Sequence, residues 1–251
     1  MKLLLFFAII VTYALVLSSL LARKALRSRT KKPTSHGWGN RLRVLIIGAT
    51  GGTGRQLVQQ ALDLGHQVTA LVRNPARLKI EHPNLKIVQG NVLDYASIEA
   101  GMPGQSAVVC ALGHKRWLYP TRILSEGTRN ILRAMKTSNV PRLICETSLG
   151  IGNTAGRLGL FYTFFVVPFI LPFYFWDKVR QEEVIAESDR DWVIVRPGAL
   201  TNGAARGKYR QDVNLGNFIL GARISRADVA DFMLKQMTND ENLGTAVVVR
   251  W

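Results

Sequence analysis

Apolar and polar positions follow two rhythms along this chain. Short, β-branched apolar runs recur from residue 43 onward, and between them lie longer segments with an apolar residue every three or four positions. The short runs read as strands buried on both faces, the longer segments as amphipathic helices. RVLIIG, QVTALV (Gln67–Val72), LKIVQGNVLD ending in a turn, SAVVCALG (Ser106–Gly113), RLICETS and WVIVRPG (Trp192–Gly198) are the expected strands. RQLVQQALDLG, SEGTRNILRAMKTSNV and SRADVADFMLKQMTN are the expected helices, and TAVVVRW closes the chain as an edge strand. Alternating strands and helices require a parallel sheet with right-handed crossovers. The fold class is therefore α/β, a doubly wound parallel sheet in one domain over residues 43–251.

Two apolar runs depart from this rhythm. Leu3 to Ala22 carries no charge and is mainly aliphatic. As a helix it extends ~30 Å, about one hydrocarbon core. Arg23, Lys24, Arg27, Arg29, Lys31, Lys32, Arg41 and Arg43 follow it without an intervening acid. A basic block after an apolar run opposes export of what comes next. The expectation is a transmembrane anchor over residues 1–22, single-pass, then a basic linker over 23–42 attracted to anionic lipid, with the domain facing the cytoplasm. A cleaved signal peptide fits less well, because the start carries only Lys2 and no A-x-A-like site follows; a buried or peripheral helix is the remaining alternative. The second run, Leu160 to Trp176, is also free of charge and crowded with aromatics. A single crossing there is impossible, because the strands before and after it belong to one sheet, and Pro168 and Pro172 break a straight helix. It is left as a membrane-docking segment, a lid over a substrate pocket, or a dimer contact.

Composition narrows the field further. The net charge is +16, from 33 basic and 17 acidic residues. No aromatics interleave with a basic face, so nucleic acid is not the expected partner. Cys110 and Cys145 have no metal-ligand spacing and sit in apolar strands, so they are expected as buried free thiols, with no metal site.

The chemistry begins where the first strand runs into GATGGTG and a helix follows. Strand, glycine turn and helix form the context in which Gly48, Gly51 and Gly54 carry weight. One glycine makes the tight turn, one admits a phosphate, and one packs helix on strand. The helix N-terminus then offers its amides to a pyrophosphate. This is a Rossmann-type dinucleotide site. At the end of the second strand, where an acid would accept the ribose hydroxyls of NAD, stand Arg73 and, four residues on, Arg77. Guanidiniums there suit a 2′-phosphate, so NADP(H) is the expected cofactor. Asn91 and Val92 follow the third strand, within reach of adenine, and Gly113 ends the fourth strand near the cofactor.

GATGGTG, LVRNPARL, GNVLD, SEGTRNILRAMK, ETSLG, DKVRQEEVI, VIVRPGALTNG and ISRADVADFML occur in the order found in atypical short-chain dehydrogenase/reductase proteins. The chain resembles the branch that includes flavin reductase/biliverdin reductase B and the NmrA-like proteins, over about residues 41–251. The resemblance implies cofactor contacts from Gly48, Thr50, Gly51, Thr53, Gly54, Arg73, Arg77, Asn91, Val92, Leu112, Gly113, Ser148 and Pro197. Asn91 replaces an aspartate found in many relatives. Ala199 stands where the biliverdin reductase B relative has a histidine, so no role for that residue carries over.

Short-chain dehydrogenases use a tyrosine to exchange a proton with the substrate oxygen, a lysine that eases this, and a serine that positions the carbonyl. Ser148, Tyr174 and Lys178 match that set, with Y-x-x-x-K on one helical face if the stretch is helical. The alternative is structural: Lys178 pairs with Asp177 or Glu182, and Tyr174 belongs to a lid. His114 and Lys115 read as surface loop near the mouth. The leading expectation is a membrane-anchored NADP(H)-dependent oxidoreductase acting on a small lipophilic or flavin- or quinone-like substrate. The rival is a non-catalytic NADP(H)-binding sensor or assembly factor. Oligomeric state is open.

Overall fold

The computed structural model describes residues 2–22, 39 and 41–251, without the side chains of residues 2–4, 6 and 7. The expected linker over 23–42 therefore lies almost wholly outside the described residues. The strands are β1 (Arg43–Ile47), β2 (Gln67–Val72), β3 (Leu85–Gln89), β4 (Ala107–Cys110), β5 (Arg142–Glu146), β6 (Asp191–Pro197), β7 (Ala199–Thr201), β8 (Arg210–Asp212), β9 (Arg223–Ser225) and β10 (Thr245–Arg250). The helices are α1 (Lys2–Ala22), α2 (Gly52–Asp63), α3 (Tyr95–Gly101), α4 (Ile123–Thr137), α5 (Val167–Phe169), α6 (Pro172–Ala186) and α7 (Arg226–Lys235).

Eight strands form one sheet in the order β3-β2-β1-β4-β5-β6-β10-β8, and β7 pairs with β9 in a small second sheet. All neighbours in the large sheet are parallel except β10 and β8. The central strands are buried on both faces, which is why their sequences run continuously apolar instead of alternating. Val44, Ile46, Leu57, Val58, Val193 and Phe232 build the core on the side of α2 and α7. Leu45, Ile47, Val108, Ile131, Met135 and Ile194 build it on the other side, under α3, α4 and α6.

The closing strand is not at the edge, as its terminal position had suggested. β8 adds to it antiparallel, with Val248 opposite Asp212, and Val247, Val248 and Val249 are buried. The sequence of β8, a short and fully exposed RQD, has no apolar signature by which to anticipate it.

The N-terminal helix forms over Lys2–Ala22, but the expected transmembrane anchor is not supported. Among the described residues, no helix is long and apolar enough to cross a membrane. α1 also lies against the domain. Ala14, Leu17 and Leu21 are buried, and the two leucines join a cluster with Leu149, Ile151, Leu158 and Val167. Tyr13 donates a 3.4 Å hydrogen bond to the carbonyl of Pro168 and packs its ring 5.8 Å from Phe169. One stripe of the helix thus faces protein, where an isolated span faces lipid all round.

The second apolar run is broken just before Pro172, whereas Pro168 lies within a helical turn. A π-helical turn at Tyr162–Val166 leads into α5, which contains Pro168. The chain then bends at Ile170 and Leu171, and Pro172 starts α6 at a position where its missing N–H costs nothing.

Candidate functional site

The turn between β1 and α2 is fixed by close backbone approach. Gly48 has φ +84°, and a Cβ on it would lie 2.4 Å from the carbonyl oxygen of Ala111 at the end of β4. A Cβ on Gly54 would lie 2.0 Å from the oxygen of Gly48. Gly51 donates its N–H to that same oxygen at 2.9 Å and takes the N-cap position of α2. Having no side chain, it cannot cap the helix itself. The first amides of α2 are left to an anion, and the glycine surface lets a pyrophosphate come close. These residues fit a dinucleotide. Thr50 is half-buried in the same turn.

The Thr53 side chain turns inward, while its amide stays in the first turn of α2. Its hydroxyl is buried and donates to Glu146 Oε1 at 3.1 Å, so its side chain serves the protein interior. Val92 is likewise buried, packed against Gly127 of α4, where a Cβ would come within 2.9 Å of it. Asn91 is exposed at the end of β3 and accepts from the Leu93 amide at 3.2 Å. Arg73 and Arg77 are exposed at the end of β2. Asn74 caps the short 3-10 turn Pro75–Arg77 by accepting from the Ala76 amide. Arg77 lines a cavity of about 550 Å³ together with Arg55, Lys79, Leu78 and Ile80. Arg55 Nη2 donates to the Arg77 carbonyl at 3.2 Å. Arg55 and Lys79 escaped the sequence reading, although Arg55 directly follows the last glycine of the turn and so sits on the first turn of α2.

Farther along the sheet, α6 is helical through Tyr174 and Lys178, so the two side chains share a face one turn apart. The Tyr174 hydroxyl lies 3.5 Å from where a Cβ on Gly113 would stand, and Lys178 Nζ lies 5.6 Å from the Tyr174 ring centre. His114 packs edge-on against Tyr174, with ring centres 5.0 Å apart. Its Nδ1 accepts from the Arg116 amide, and its Nε2 meets the Thr121 hydroxyl at 3.0 Å. Burial holds the imidazole below the usual histidine range, so it is neutral at pH 7. His114 is thus a wall of the site, more than the surface loop residue expected.

Lys178 pairs with neither Asp177 nor Glu182. It is fully buried and donates to the backbone carbonyls of Glu146 at 2.9 Å and Leu112 at 3.4 Å. Burial alone would depress the ammonium. Charge interactions with Tyr174, Cys145 and Glu146 outweigh this and hold it above the usual lysine range. Glu146 lies beside it, pushed up by burial and partly held back by Lys178 and Thr53. Asp177 instead caps α4, accepting from the amides of Leu124 and Ser125 at 2.9 and 3.2 Å. Glu182 forms a buried pair with Arg196, accepts from Thr147 at 2.7 Å, and so ties α6 to β5 and β6. Ser148 is half-buried just past β5, and its hydroxyl donates to the Leu149 carbonyl at 2.9 Å. Pro197 is buried at the end of β6, and its carbonyl accepts from the Leu149 amide. Cys110 and Cys145 face each other across β4 and β5 as buried free thiols. Among the described residues there is no cluster able to hold a metal ion.

Comparison with known proteins agrees with this geometry. The chain is similar to protein TIC 62 from the chloroplast of Pisum sativum, with 27% identity over 226 residues, 79% of this chain and 40% of that one. It therefore spans less than half of that relative's length. It is also similar to reductase pytE of Aspergillus terreus, 26% identical over 264 residues, covering 83% of this chain and 97% of the other. Among solved structures, a Rossmann-fold NAD(P)-binding family protein from Shigella flexneri superposes with a TM-score of 0.63 at 26% identity, over 83% and 93% of the two chains. A family model described as NAD(P)H-binding matches residues 48–240, from the first glycine of the turn to beyond α7. With its turn, its sheet and most of its length accounted for in this way, the protein belongs to the NAD(P)H-binding family.

Proposed function

We propose that the protein is an NADP(H)-dependent oxidoreductase that reduces the carbonyl of an apolar, quinone- or aldehyde-like small molecule beside Tyr174. One observation carries the reading: the Tyr174 hydroxyl reaches Gly113 at the cofactor edge while the Lys178 ammonium is buried one helical turn behind its ring. A dinucleotide held on the glycine turn with its nicotinamide beside Gly113 would supply a hydride to the carbonyl carbon. Tyr174 donates its proton to the carbonyl oxygen, and the Lys178 ammonium stabilises the phenolate left behind. Solvent then returns a proton to Tyr174. Lys178 is itself oriented by the carbonyls of Glu146 and Leu112. The aromatic surroundings of Tyr174, including Phe175 and His114, favour an apolar substrate.

The preference for NADP(H) rests on Arg73 and Arg77, and Arg55 and Lys79 share a cavity with Arg77. These cations suit a 2′-phosphate and give NADH nothing comparable. Arg73→Ala is expected to raise the Kd for NADPH about tenfold with little change for NADH. Equal losses for both cofactors overturn the preference.

The test of catalysis is NADPH oxidation by the full chain in lipid, against quinones, flavins and aldehydes. Tyr174→Phe keeps the ring contacts and is expected to lower turnover by a factor of about 100 or more, at unchanged NADPH affinity. NADPH binding without turnover on the whole panel sinks the enzyme and favours a nucleotide-binding sensor or assembly factor. That second reading draws on Ser148, whose hydroxyl is engaged with the Leu149 carbonyl.

A further inference from the structure

Four segments remote in sequence share one flank of the molecule. Tyr13 of α1 bonds the carbonyl of Pro168. Leu158 bridges Asn217, and the Leu160 amide donates to the carbonyl of Ile219, which joins the 160–176 lobe to the loop at 217–221. His114 packs on Tyr174, and the Trp117 indole donates to the His114 carbonyl, which attaches the 114–121 loop. We propose that this flank docks peripherally on an anionic phospholipid bilayer, with Trp117, Trp176 and the Phe218–Leu220 loop entering the interface.

The flank is apolar where it is exposed. Phe218, Ile219 and Leu220 are 61%, 68% and 69% exposed. Phe161, Phe165, Phe169 and Trp176 stand out from the lobe, and Trp117, Leu118 and Tyr119 from the neighbouring loop. The face of α1 turned away from the domain adds Ile9, Val16 and Leu20. Large apolar side chains scattered singly need no explanation, whereas this many on segments tied together by the contacts above mark a contact.

Charge decides the occupant. Residues 2–22, 113–122, 155–176 and 213–223 contain no aspartate or glutamate, while Lys115, Arg116, Arg122, Arg157 and Arg223 lie among them. Arg157 lies 5.6 Å from the Phe218 ring centre and Arg180 5.8 Å from that of Trp176, so guanidiniums accompany the exposed aromatics. Aromatic rings with cations beside them match the boundary between acyl chains and anionic headgroups. The basic block between Arg23 and Arg43 adds charge of the same sign next to α1. A second copy of the chain fits poorly, because a two-fold contact sets each of these cations against its own kind. Docking stands apart from catalysis; only the delivery of an apolar substrate from the lipid to Tyr174 rests on the function proposed above.

The test uses the full chain on vesicles of phosphatidylcholine with about one third phosphatidylglycerol, some of the lipid brominated in its acyl chains. α1 contains no tryptophan, so quenching of tryptophan emission reports on the flank and not on α1 alone. In a Trp38→Phe background, which silences the tryptophan of the basic segment, brominated lipid is expected to quench emission. Adding Trp117→Phe and Trp176→Phe should cut that quenching at least threefold, and Phe218→Trp in the resulting protein should restore it, with NADPH affinity unchanged throughout. Quenching that survives loss of both tryptophans overturns the proposal, as does vesicle binding without quenching, which assigns contact to α1 or the basic segment. Equal quenching on vesicles of phosphatidylcholine alone overturns the anionic requirement. A dimer that shields both tryptophans, found by sedimentation in the absence of lipid, assigns the flank to a second copy. Every readout is independent of turnover.

Discussion

The glycine turn and the aromatic lobe both follow the carboxyl ends of parallel strands, β1 and β5, yet they are built by opposite means. In the turn, backbone touches backbone: Gly48 and Gly54 leave no room for a methyl group. In the lobe, Phe161, Phe165 and Phe169 reach outward, and the chain's path is set by two prolines and by contacts with α1 and the 217–221 loop. A region defined by excluded volume tolerates no side chain, whereas one defined by exposed surface tolerates many. Nucleotide binding therefore depends on individual atoms, and any contact made by the lobe depends on its summed area.

The sharpest break of that contrast is Gly54→Ala. The new methyl meets the Gly48 oxygen, so NADPH affinity should fall by a factor of about 100 or more, with about 3 kcal/mol lost from stability. Fluorescence titration and urea unfolding measure the two effects, and a near-native Kd refutes the excluded-volume account. Next in size is Asp177→Ala, which leaves the Leu124 and Ser125 amides at the start of α4 without their acceptor. Its expected cost is about 2–3 kcal/mol, read from the urea midpoint at constant m-value.

A subtler effect is expected at Glu146. Burial raises its carboxyl above the ordinary value of 4.5, so the folded protein holds this proton at a pH where the unfolded chain has released it. Its contribution to stability is present below that value and is lost as pH rises through the folded value. Glu146→Gln, which can still accept from Thr53, should flatten this decline. A pH–stability profile parallel to that of the parent rules the assignment out. The smallest effect belongs to the lobe: Phe165→Ser, at an exposed position, should change stability by less than about 0.5 kcal/mol. A large loss there shows that the lobe is core and not surface.

The turn was legible because its constraint is local. Strand, three glycines and helix lie within a dozen residues, and the spacing itself encodes the geometry. The same holds for the helical face shared by Tyr174 and Lys178. What lies opposite Lys178 was not legible, because Glu146 and Leu112 meet it through carbonyl oxygens, and every residue has one. Both acids nearest in sequence were engaged elsewhere, Asp177 with α4 and Glu182 with Arg196. The N-terminal run predicted a helix correctly from hydropathy alone. That it lies on the domain through Ala14, Leu17 and Leu21 depends on a partner surface more than a hundred residues away, between β5 and α6. β8 gave no signal because three exposed polar residues look like any loop.

The carboxylate of Asp177 has a consequence for how this architecture can diversify. By gripping the start of α4, it fixes the rotation of α6 immediately before Lys178. Each residue advances a helix by about 100°, so an insertion between Tyr174 and Asp177 would swing the phenol away from Gly113. An insertion before Pro172 would be absorbed at the bend, leaving the register of Tyr174 and Lys178 intact. The lobe is thus free to be rewritten in length and composition while the groups behind it keep their places. New surfaces, and with them new substrates or docking partners, can be acquired without rebuilding the nucleotide site.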